Sequence, residues 1–136
     1  MHEFEKIEIL LAEDSDADAE MTIRALRRNN LANHLVWVKD GAEALDFIFR
    51  RGAYAQRPEG APKLVLLDLK MPKVDGIEVL LQRGRTSGLD QVPVVVMTSC
   101  EEERHVLTSY HLGIHSYLAK PVQRDDVANT VSKIGL

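Results

Sequence analysis

The sequence predicts an α/β domain with an open five-stranded parallel sheet, strand order 2-1-3-4-5, and helices on both faces of that sheet. Short apolar runs typical of β-strands alternate five times with segments of helical periodicity, which indicates a parallel sheet with crossover helices. The third run, residues 64–67, is continuously apolar, as expected for a central strand that is covered on both faces. Right-handed crossovers leave few topologies for five such units, and the predicted topology is the usual one.

The individual elements follow in order from these patterns. The predicted strands are residues 7–12, 34–38, 64–67, 93–97 and 114–118. The helices between and after them are indicated by apolar residues at helical spacing: Ala19, Ile23 and Leu26 in the first, Ala44, Leu45, Ile48 and Phe49 in the second, Ile77, Leu80 and Leu81 in the third, Val106, Leu107 and Tyr110 in the fourth, and Val127, Val131 and Ile134 in the fifth. Residues 53–62 contain two prolines and a glycine and predict a loop before the third strand.

Several residues predict where helices begin and end. Ser15, with Asp18 three residues later, has the spacing of a capping box and predicts the start of the first helix. Gly113 predicts the end of a fourth helix over residues 101–112. In the third helix, Arg83 and Gly84 stand where an apolar anchor is expected, and glycine in a helix interior costs about 1 kcal/mol relative to alanine. We therefore expect the third helix to be short and frayed.

The composition limits the possible classes of function. The chain has 136 residues, so we expect one domain over residues 1–136 and no output domain. A net charge of -4 argues against a nucleic-acid binder, and the longest apolar run, six residues, is far shorter than the ~20 that span a bilayer. The amino terminus lacks the apolar core of a signal peptide, and a single cysteine, Cys100, excludes an internal disulfide. We expect a cytoplasmic protein with no nucleic-acid or membrane partner.

Polar residues end four of the five predicted strands. Glu13 and Asp14 follow the first strand, Asp68 follows the third, Thr98 the fourth and Lys120 the fifth. In open α/β sheets, ligands bind at the carboxyl ends of the strands, where the strand order reverses. We therefore expect these five side chains to converge on one spot.

The three acidic residues of this group predict a metal site. Carboxylates held close together repel each other, and a hard divalent cation compensates them. Mg²⁺ prefers one or two carboxylates together with water and phosphate oxygens, and a lysine and a hydroxyl aimed at the same point would complete a site for a phosphoryl group. A carboxylate can itself accept a phosphoryl group, and Asp68, at the end of the central strand, is the best candidate.

The motifs around these residues resemble the receiver domain of two-component response regulators along nearly the whole chain. The matching motifs are the acidic pair Glu13-Asp14, Asp68 within LLDLKMPKVDG, Thr98 after PVVVM, and Tyr117-x-x-Lys120-Pro121. They occur in order, on the expected elements and with fitting spacing. The resemblance implies the flavodoxin-like receiver fold and a single-domain response regulator, which is a switch and not an enzyme beyond its own phosphorylation and dephosphorylation.

The resemblance also implies how the acidic residues act. Asp68 would accept a phosphoryl group from a partner histidine kinase. Mg²⁺ would be bound directly by Asp14, Asp68 and the backbone carbonyl of Lys70, and by Glu13 through water. Aspartate is commoner than glutamate at the position of Glu13, and the longer side chain should still reach a metal-bound water.

Four further residues receive roles in the same way. Thr98 and Lys120 would contact the phosphoryl oxygens. Tyr117 resembles the aromatic switch residue of the family, which moves inward when Thr98 shifts. The Lys120–Pro121 peptide bond is expected to be cis, because in receivers this bond aims the lysine at the phosphate.

Within the family, the chain is most similar to small regulators paired with phytochrome-type histidine kinases. The long segment RRGAYAQRPEGAPK, the AED start and the SYLAKPV ending carry this likeness. It implies a phytochrome-type kinase as partner. It also implies a homodimer through the face made by the fourth helix, fifth strand and fifth helix, which includes Val106, Tyr110 and Ile114.

Two other functions compete with this interpretation. A phosphohydrolase with an aspartyl nucleophile usually needs a second acid two residues after the nucleophile, where this chain has Lys70. A degenerate receiver that acts only as a binding module would not need the complete set of acids. Each residue also has a purely structural explanation, such as Thr98 as a helix N-cap or Tyr117 as a half-buried strand aromatic, but no structural need brings all of them to one sheet edge.

Overall fold

The computed structural model describes residues 8–31, 34–57, 62–71, 73–86, 89, 92–109 and 112–134. Within these ranges it has five strands, namely β1 (Glu8–Ala12), β2 (His34–Val38), β3 (Leu64–Asp68), β4 (Val94–Thr98) and β5 (Ser116–Ala119). Its helices are α1 (Asp16–Arg28), α2 (Gly41–Phe49), α3 (Gly76–Gly84), α4 (Glu101–Ser109) and α5 (Arg124–Lys133), and a 3-10 helix covers Gly52–Tyr54. None of the helices in the described ranges has the length and apolar character that a membrane crossing requires.

The five strands form one parallel sheet in the order β2-β1-β3-β4-β5. This confirms the predicted fold class and strand order. The register aligns the carboxyl ends of the strands: Asp68 pairs with Met97, and Thr98 pairs with Ala119. The residues that follow or end these strands are therefore brought to one edge of the sheet.

Alternating strand residues supply two cores, one on each face of the sheet. On one face, Leu10, Val65, Leu67, Val94 and Val96 pack with buried residues of α2, α3 and α4. On the other face, Ile9, Leu11, Leu64, Leu66, Val95 and Met97 pack with buried residues of α1 and α5. All residues of β3 and β4 are buried, as expected for central strands that helices cover on both sides.

The predicted element bounds are wrong in two places near the carboxyl end. The fourth helix is described as far as Ser109, and Leu112 lies outside it, whereas the prediction extended the helix to residue 112. The fifth strand begins at Ser116 instead of at Ile114. Tyr110 and His111 lie outside the described residues.

The third helix is short, as expected, but its last turn is not frayed. Arg83 is only 2% exposed, and its guanidinium donates hydrogen bonds to the carbonyl of Val92 from Nε at 3.1 Å and from Nη2 at 2.9 Å. It also donates to the carbonyls of Leu112 at 3.4 Å and Gly113 at 3.3 Å. The charged residue that seemed unfit as an anchor therefore ties α3 to the segments that precede β4 and β5.

Candidate functional site

The five polar residues at the strand ends line one cavity. It has a volume of about 190 Å³ and lies at the carboxyl ends of β1, β3, β4 and β5. Its lining residues are Glu13, Asp14, Ser15, Asp18, Asp68, Lys70, Thr98, Ser99, Glu103 and Lys120. The structure thus brings together all the site residues that were predicted to converge, and it adds acids from α1 and α4.

The acidic cluster has the composition and spacing of a cation site. One carboxylate oxygen from each of Glu13, Asp14 and Asp68 lies within 4.8 Å of the other two. Asp14 is exposed, while Asp68 is 8% exposed and Glu13 is fully buried. Glu13 Oε1 lies 2.8 Å from the ammonium of Lys120, which offsets only one of the negative charges. Three converging carboxylates of this kind fit a hard divalent cation.

The backbone around Glu13 is held by the neighbouring strand. Its N–H donates to the carbonyl of Val38 at 3.0 Å, and its own carbonyl accepts a hydrogen bond from the indole Nε1 of Trp37 at 2.8 Å. The Ser15 N–H donates to Glu13 Oε2 at 3.2 Å. The buried carboxylate is therefore oriented into the site by the turn between β1 and α1.

The charges of Glu13 and Lys120 depend on each other. Burial raises the pKa of Glu13 from 4.5 to about 7; the hydrogen bond to Lys120 opposes this shift, and the charge of Asp68 reinforces it. Burial opposes the charge of Lys120, but contacts with Glu13 and the negative charge of Asp68 outweigh it and raise the pKa of Lys120 above 10.5. Lys120 therefore stays charged inside an acidic pocket.

Lys120 contacts three carboxylates from three elements. Its Nζ lies 2.8 Å from Glu13 Oε1, 3.3 Å from Asp18 Oδ2 and 3.4 Å from Asp68 Oδ1. The peptide bond between Lys120 and Pro121 is cis, which is the geometry that the resemblance implied. The contact with Asp68 is the one that bears on phosphoryl chemistry, because it sets an ammonium beside the central carboxylate.

The capping-box prediction is half right. Ser15 is the N-cap of α1, and its side chain accepts a hydrogen bond from the Asp18 N–H at 3.2 Å. The Asp18 carboxylate, however, pairs with Lys120 and does not return to the Ser15 N–H, which donates to Glu13 instead. Asp18 is therefore a site residue that sequence reasoning missed.

Glu103 is the second residue of the site that the sequence did not reveal. It lies on the first turn of α4 and accepts a hydrogen bond from Thr98 Oγ1 at 2.6 Å. Its other carboxylate oxygen lies 3.6 Å from Lys70 Nζ. The run of three glutamates at residues 101–103 was a signal, but acids in the first turn are also expected from the helix dipole alone.

Tyr117 lies beside the site, on the far side of Thr98. The residue is half-buried in β5, and the guanidinium of Arg104 lies 5.0 Å from the centre of its ring. Tyr117 and Thr98 line the same cavity of about 120 Å³, between α4 and β5. A change at Thr98 could therefore reach the tyrosine through this space.

A comparison with protein families identifies the family of this chain. The sequence model for the response regulator receiver domain matches residues 9–132. The chain belongs to this family. Receiver domains bind a divalent metal ion and interact with histidine kinases, and the cluster of Glu13, Asp14 and Asp68 fits the metal site.

Relatives of this receiver include regulators associated with phytochromes. The response regulator Rcp1 of Synechocystis sp. is 37% identical over 126 residues, which cover 93% of this chain and 84% of Rcp1. The solved structure of the bacteriophytochrome response regulator RtBRR has a TM-score of 0.92 at 43% identity and covers 97% of this chain and 80% of RtBRR. That of AtBRR, another bacteriophytochrome response regulator, has a TM-score of 0.89 at 44% identity and covers 96% and 94%. A Mn²⁺-bound form of Rcp1 has a TM-score of 0.74 at 37% identity and covers 93% and 89%.

Proposed function

We propose that this receiver accepts a phosphoryl group on Asp68 from a histidine kinase, in a Mg²⁺-dependent reaction, and that phosphorylation switches a protein-interaction surface. The observation that carries the proposal is the position of Asp68. It ends the buried central strand, shares an acidic cluster with Glu13 and Asp14, and lies 3.4 Å from the ammonium of Lys120. A carboxylate in these surroundings is suited to phosphoryl acceptance.

The proposed transfer is a displacement at phosphorus. A carboxylate oxygen of Asp68 attacks the phosphorus of a phosphohistidine, an O–P bond forms, and the P–N bond to the kinase breaks. The departing imidazole nitrogen keeps the electron pair of that bond. Lys120 is close enough to Asp68 to neutralise charge on a phosphoryl oxygen, and the Thr98 hydroxyl supplies a hydrogen-bond donor on the neighbouring strand.

The metal of this reaction is proposed to be Mg²⁺. Asp14, Asp68 and the backbone carbonyl of Lys70 would bind it directly, and Glu13 would act through a water molecule. When bound, it supplies positive charge that offsets the carboxylates and the phosphoryl oxygens. The Mn²⁺-bound form of Rcp1 supports a divalent cation at this kind of site, and the preference of Mg²⁺ for carboxylate, water and phosphate oxygens supports magnesium.

The switch is proposed to run from Thr98 to Tyr117. Phosphorylation adds about two negative charges, and the Thr98 hydroxyl would turn toward them. Because Thr98 and Tyr117 line one cavity, this movement would open space that the tyrosine ring can occupy. The population of an active surface at α4, β5 and α5 would rise accordingly.

The remaining parts of the proposal concern partners and location. The likeness to bacteriophytochrome regulators supports a phytochrome-type kinase as phosphodonor. We infer that the receiver works in the cytoplasm beside that kinase. We also infer that it is a switch and not a multiple-turnover hydrolase, because Lys70 stands where such hydrolases usually carry their second acid. A homodimer through the α4-β5-α5 face is also proposed. The side chain of Val106 and the whole of Tyr110 lie outside the described residues, whereas Ile114 is described and half-buried.

A phosphotransfer assay tests the proposal. The receiver is mixed with a phosphorylated bacteriophytochrome-type kinase, with Mg²⁺ or with a chelator, and the acid-labile phosphate on the receiver is measured. We expect label on the wild type only with Mg²⁺, and none on Asp68→Asn, which keeps the size of the side chain but loses the nucleophilic carboxylate. Label that persists on Asp68→Asn would show that another residue is the acceptor.

A matched control separates loss of chemistry from loss of fold. Asp75 is exposed and caps α3 outside the cavity, so Asp75→Asn changes the same functional group at a distance from the site. We expect this variant to be labelled like the wild type. Phosphate release over many cycles from small phosphorylated compounds would instead favour the hydrolase.

A further inference from the structure

The carboxylate of Glu103 turns into the proposed phosphoryl site and away from solvent. Its Oε1 lies 2.6 Å from Thr98 Oγ1, a distance typical of a hydrogen bond between a hydroxyl and a carboxylate. Its side chain is 25% exposed, whereas that of Glu101, on the same turn of α4, is 79% exposed. Glu103 also lines the cavity that contains Asp68. The residue therefore belongs to the site and not to the solvated face of its helix.

The hydrogen bond to Glu103 uses the single proton of the Thr98 hydroxyl. Thr98 Oγ1 accepts a hydrogen bond from the Cys100 N–H at 3.1 Å, and two acceptors are within reach of its proton. They are the Glu103 carboxylate at 2.6 Å and the Cys100 carbonyl at 3.3 Å. The carboxylate is both closer and charged, so it is the stronger acceptor. A hydroxyl that donates to Glu103 cannot donate to a phosphoryl oxygen on Asp68 at the same time.

The second oxygen of Glu103 engages a cation at the rim of the same cavity. Glu103 Oε2 lies 3.6 Å from Lys70 Nζ. Because the Lys70 side chain is 85% exposed, this ion pair is weak. Even so, the two oxygens of Glu103 engage a hydroxyl and an ammonium, which are the kinds of group that a phosphoryl group attracts.

We propose that Glu103 competes with the phosphoryl group for Thr98 and is a positioning residue that limits how favourably Asp68 is phosphorylated. This inference rests on the function proposed above. Phosphorylation brings about two negative charges into the cavity that Glu103 lines, and like charges repel. The Thr98 hydroxyl then donates to a phosphoryl oxygen, Glu103 loses its partner, and the first turn of α4 is released from β4. The helix that forms part of the proposed output face is thereby linked to the phosphorylation state.

Binding of beryllofluoride, a phosphoryl mimic, with saturating Mg²⁺ tests this proposal without turnover. Trp37 is the single tryptophan of the chain, and its indole N–H donates to the carbonyl of Glu13, so its fluorescence is a reporter at the edge of the site. We expect Glu103→Gln to bind roughly 3- to 10-fold more tightly than the wild type, because a neutral acceptor holds Thr98 less strongly. Glu103→Ala should show a gain at least as large.

Two controls identify the route of the effect. Glu102→Gln removes the same charge from the neighbouring exposed position of α4, and its affinity should stay close to that of the wild type. In a Thr98→Ala background, Glu103→Gln should give a clearly smaller gain, because the hydroxyl for which the two groups compete is absent and only the repulsion between Glu103 and the bound anion remains. A gain that Glu102→Gln reproduces, or that keeps its full size without Thr98, would reduce Glu103 to a general charge effect and overturn the proposal.

The experiment also separates the two proposals. Equal or weaker binding by Glu103→Gln and Glu103→Ala, while the wild type binds beryllofluoride and Asp68→Asn does not, overturns the role of Glu103 and leaves the phosphoacceptor proposal intact. A wild type that neither binds beryllofluoride nor takes up phosphate overturns both. A cooperative thermal unfolding transition near the wild-type temperature shows that each variant keeps the fold.

Discussion

At the scale of single residues, the ammonium of Lys120 faces more negative charge than it can balance. It contacts the carboxylates of Glu13, Asp18 and Asp68, and Asp14 lies close to two of them. Replacing any of these acids by a neutral residue changes the electrostatic balance of the others, because they share one site in which Glu13 and Asp68 are buried. Repulsion among the carboxylates therefore destabilises the empty site, and a bound cation would relieve that repulsion.

The raised pKa of Glu13 gives a pH dependence of known sign. Between its ordinary pKa of 4.5 and about 7, the folded state keeps a proton on Glu13 that the unfolded chain has released. Stability from this group is therefore present at acid pH and is lost as the pH rises toward 7. The quantity to compare is the free energy of unfolding of the wild type minus that of Glu13→Gln, measured in a chelating buffer. We expect this difference to fall by on the order of 1 to 3 kcal/mol between about pH 5 and about pH 8.

Urea titrations at several pH values measure this difference. Glu20→Gln is a suitable control, because Glu20 is 64% exposed and pairs only with Arg24 among the described contacts, so its profile should follow the wild type. A Glu13→Gln profile parallel to that of the wild type would show that Glu13 titrates at its ordinary pKa. Saturating Mg²⁺ should flatten the wild-type profile, because a bound cation favours the ionised carboxylate.

The sequence predicted the central residues of the site but not their complete surroundings. Glu13, Asp68 and Lys120 could be placed because each follows or ends a strand, and parallel strands end at one edge. Asp18 could not, because its contact with Lys120 joins residues 102 positions apart and depends on a side-chain rotamer at the start of α1. Glu103 escaped notice for the same reason, since a glutamate in a first helical turn has a sufficient local explanation.

At the scale of elements, the connection from β3 to α3 leaves no room at Gly76. Its N–H donates to the carbonyl of Leu69 at 2.9 Å, and a Cβ at this position would lie 2.7 Å from the backbone oxygen of Asp68 and 2.8 Å from the Cα of Leu69. Both neighbours are backbone atoms and cannot rotate away. The start of α3 is therefore packed directly against the residue proposed to accept phosphate.

Two glycine-to-alanine substitutions in α3 should have opposite effects. We expect Gly76→Ala to destabilise the fold by about 1–3 kcal/mol, because the backbone that carries Asp68 must shift, and to slow its phosphorylation. Gly84→Ala is the matched control: outside its own helix and chain neighbours, no atom of the described residues lies within 4 Å of its added Cβ, so it should be neutral or stabilise by up to about 1 kcal/mol. Denaturant unfolding and the phosphotransfer assay measure both. Equal stability of the two variants would show that the loop after β3 adapts without cost.

The same helix shows where prediction of elements reaches its limit. Periodicity located the five α-helices and five strands of the described residues, because hydrophobic spacing reports which side of an element is buried, but it did not reveal the 3-10 helix at Gly52–Tyr54. It could not foresee that Arg83 is buried, because the carbonyls that satisfy its guanidinium, those of Val92, Leu112 and Gly113, come from two other segments. A buried cation is compatible with a core when its donors are met, and only the tertiary arrangement reveals that they are.

At the scale of the whole molecule, the proposed output face carries charges of both signs. A groove of about 280 Å³ on β5, α4 and α5 is lined by residues that include Arg104, Asp126 and Lys133. In a twofold homodimer the same surface of both copies forms the interface. If one residue contacts a second residue of the partner, the reverse contact also occurs, so each contact is present twice. A groove that carries both cations and an acid is therefore suited to pair with the same groove of a second copy.

This arrangement makes the proposed homodimer sensitive to charge reversal. We expect Asp126→Arg to raise the dimer dissociation constant by about tenfold, because it sets like charges against each other across the interface, and we expect added salt to weaken the wild-type dimer. Asp125→Arg changes the next residue, whose side chain is 92% exposed and outside the groove, and should leave the dimer unchanged. If Asp126 of one copy pairs with Arg104 of the other, combining Asp126→Arg with Arg104→Glu should restore association, since the two charges are exchanged and not removed. Light scattering coupled to size-exclusion chromatography, with and without beryllofluoride, measures the fractions of monomer and dimer. A wild type that is monomeric at micromolar concentration in both conditions would exclude the dimer.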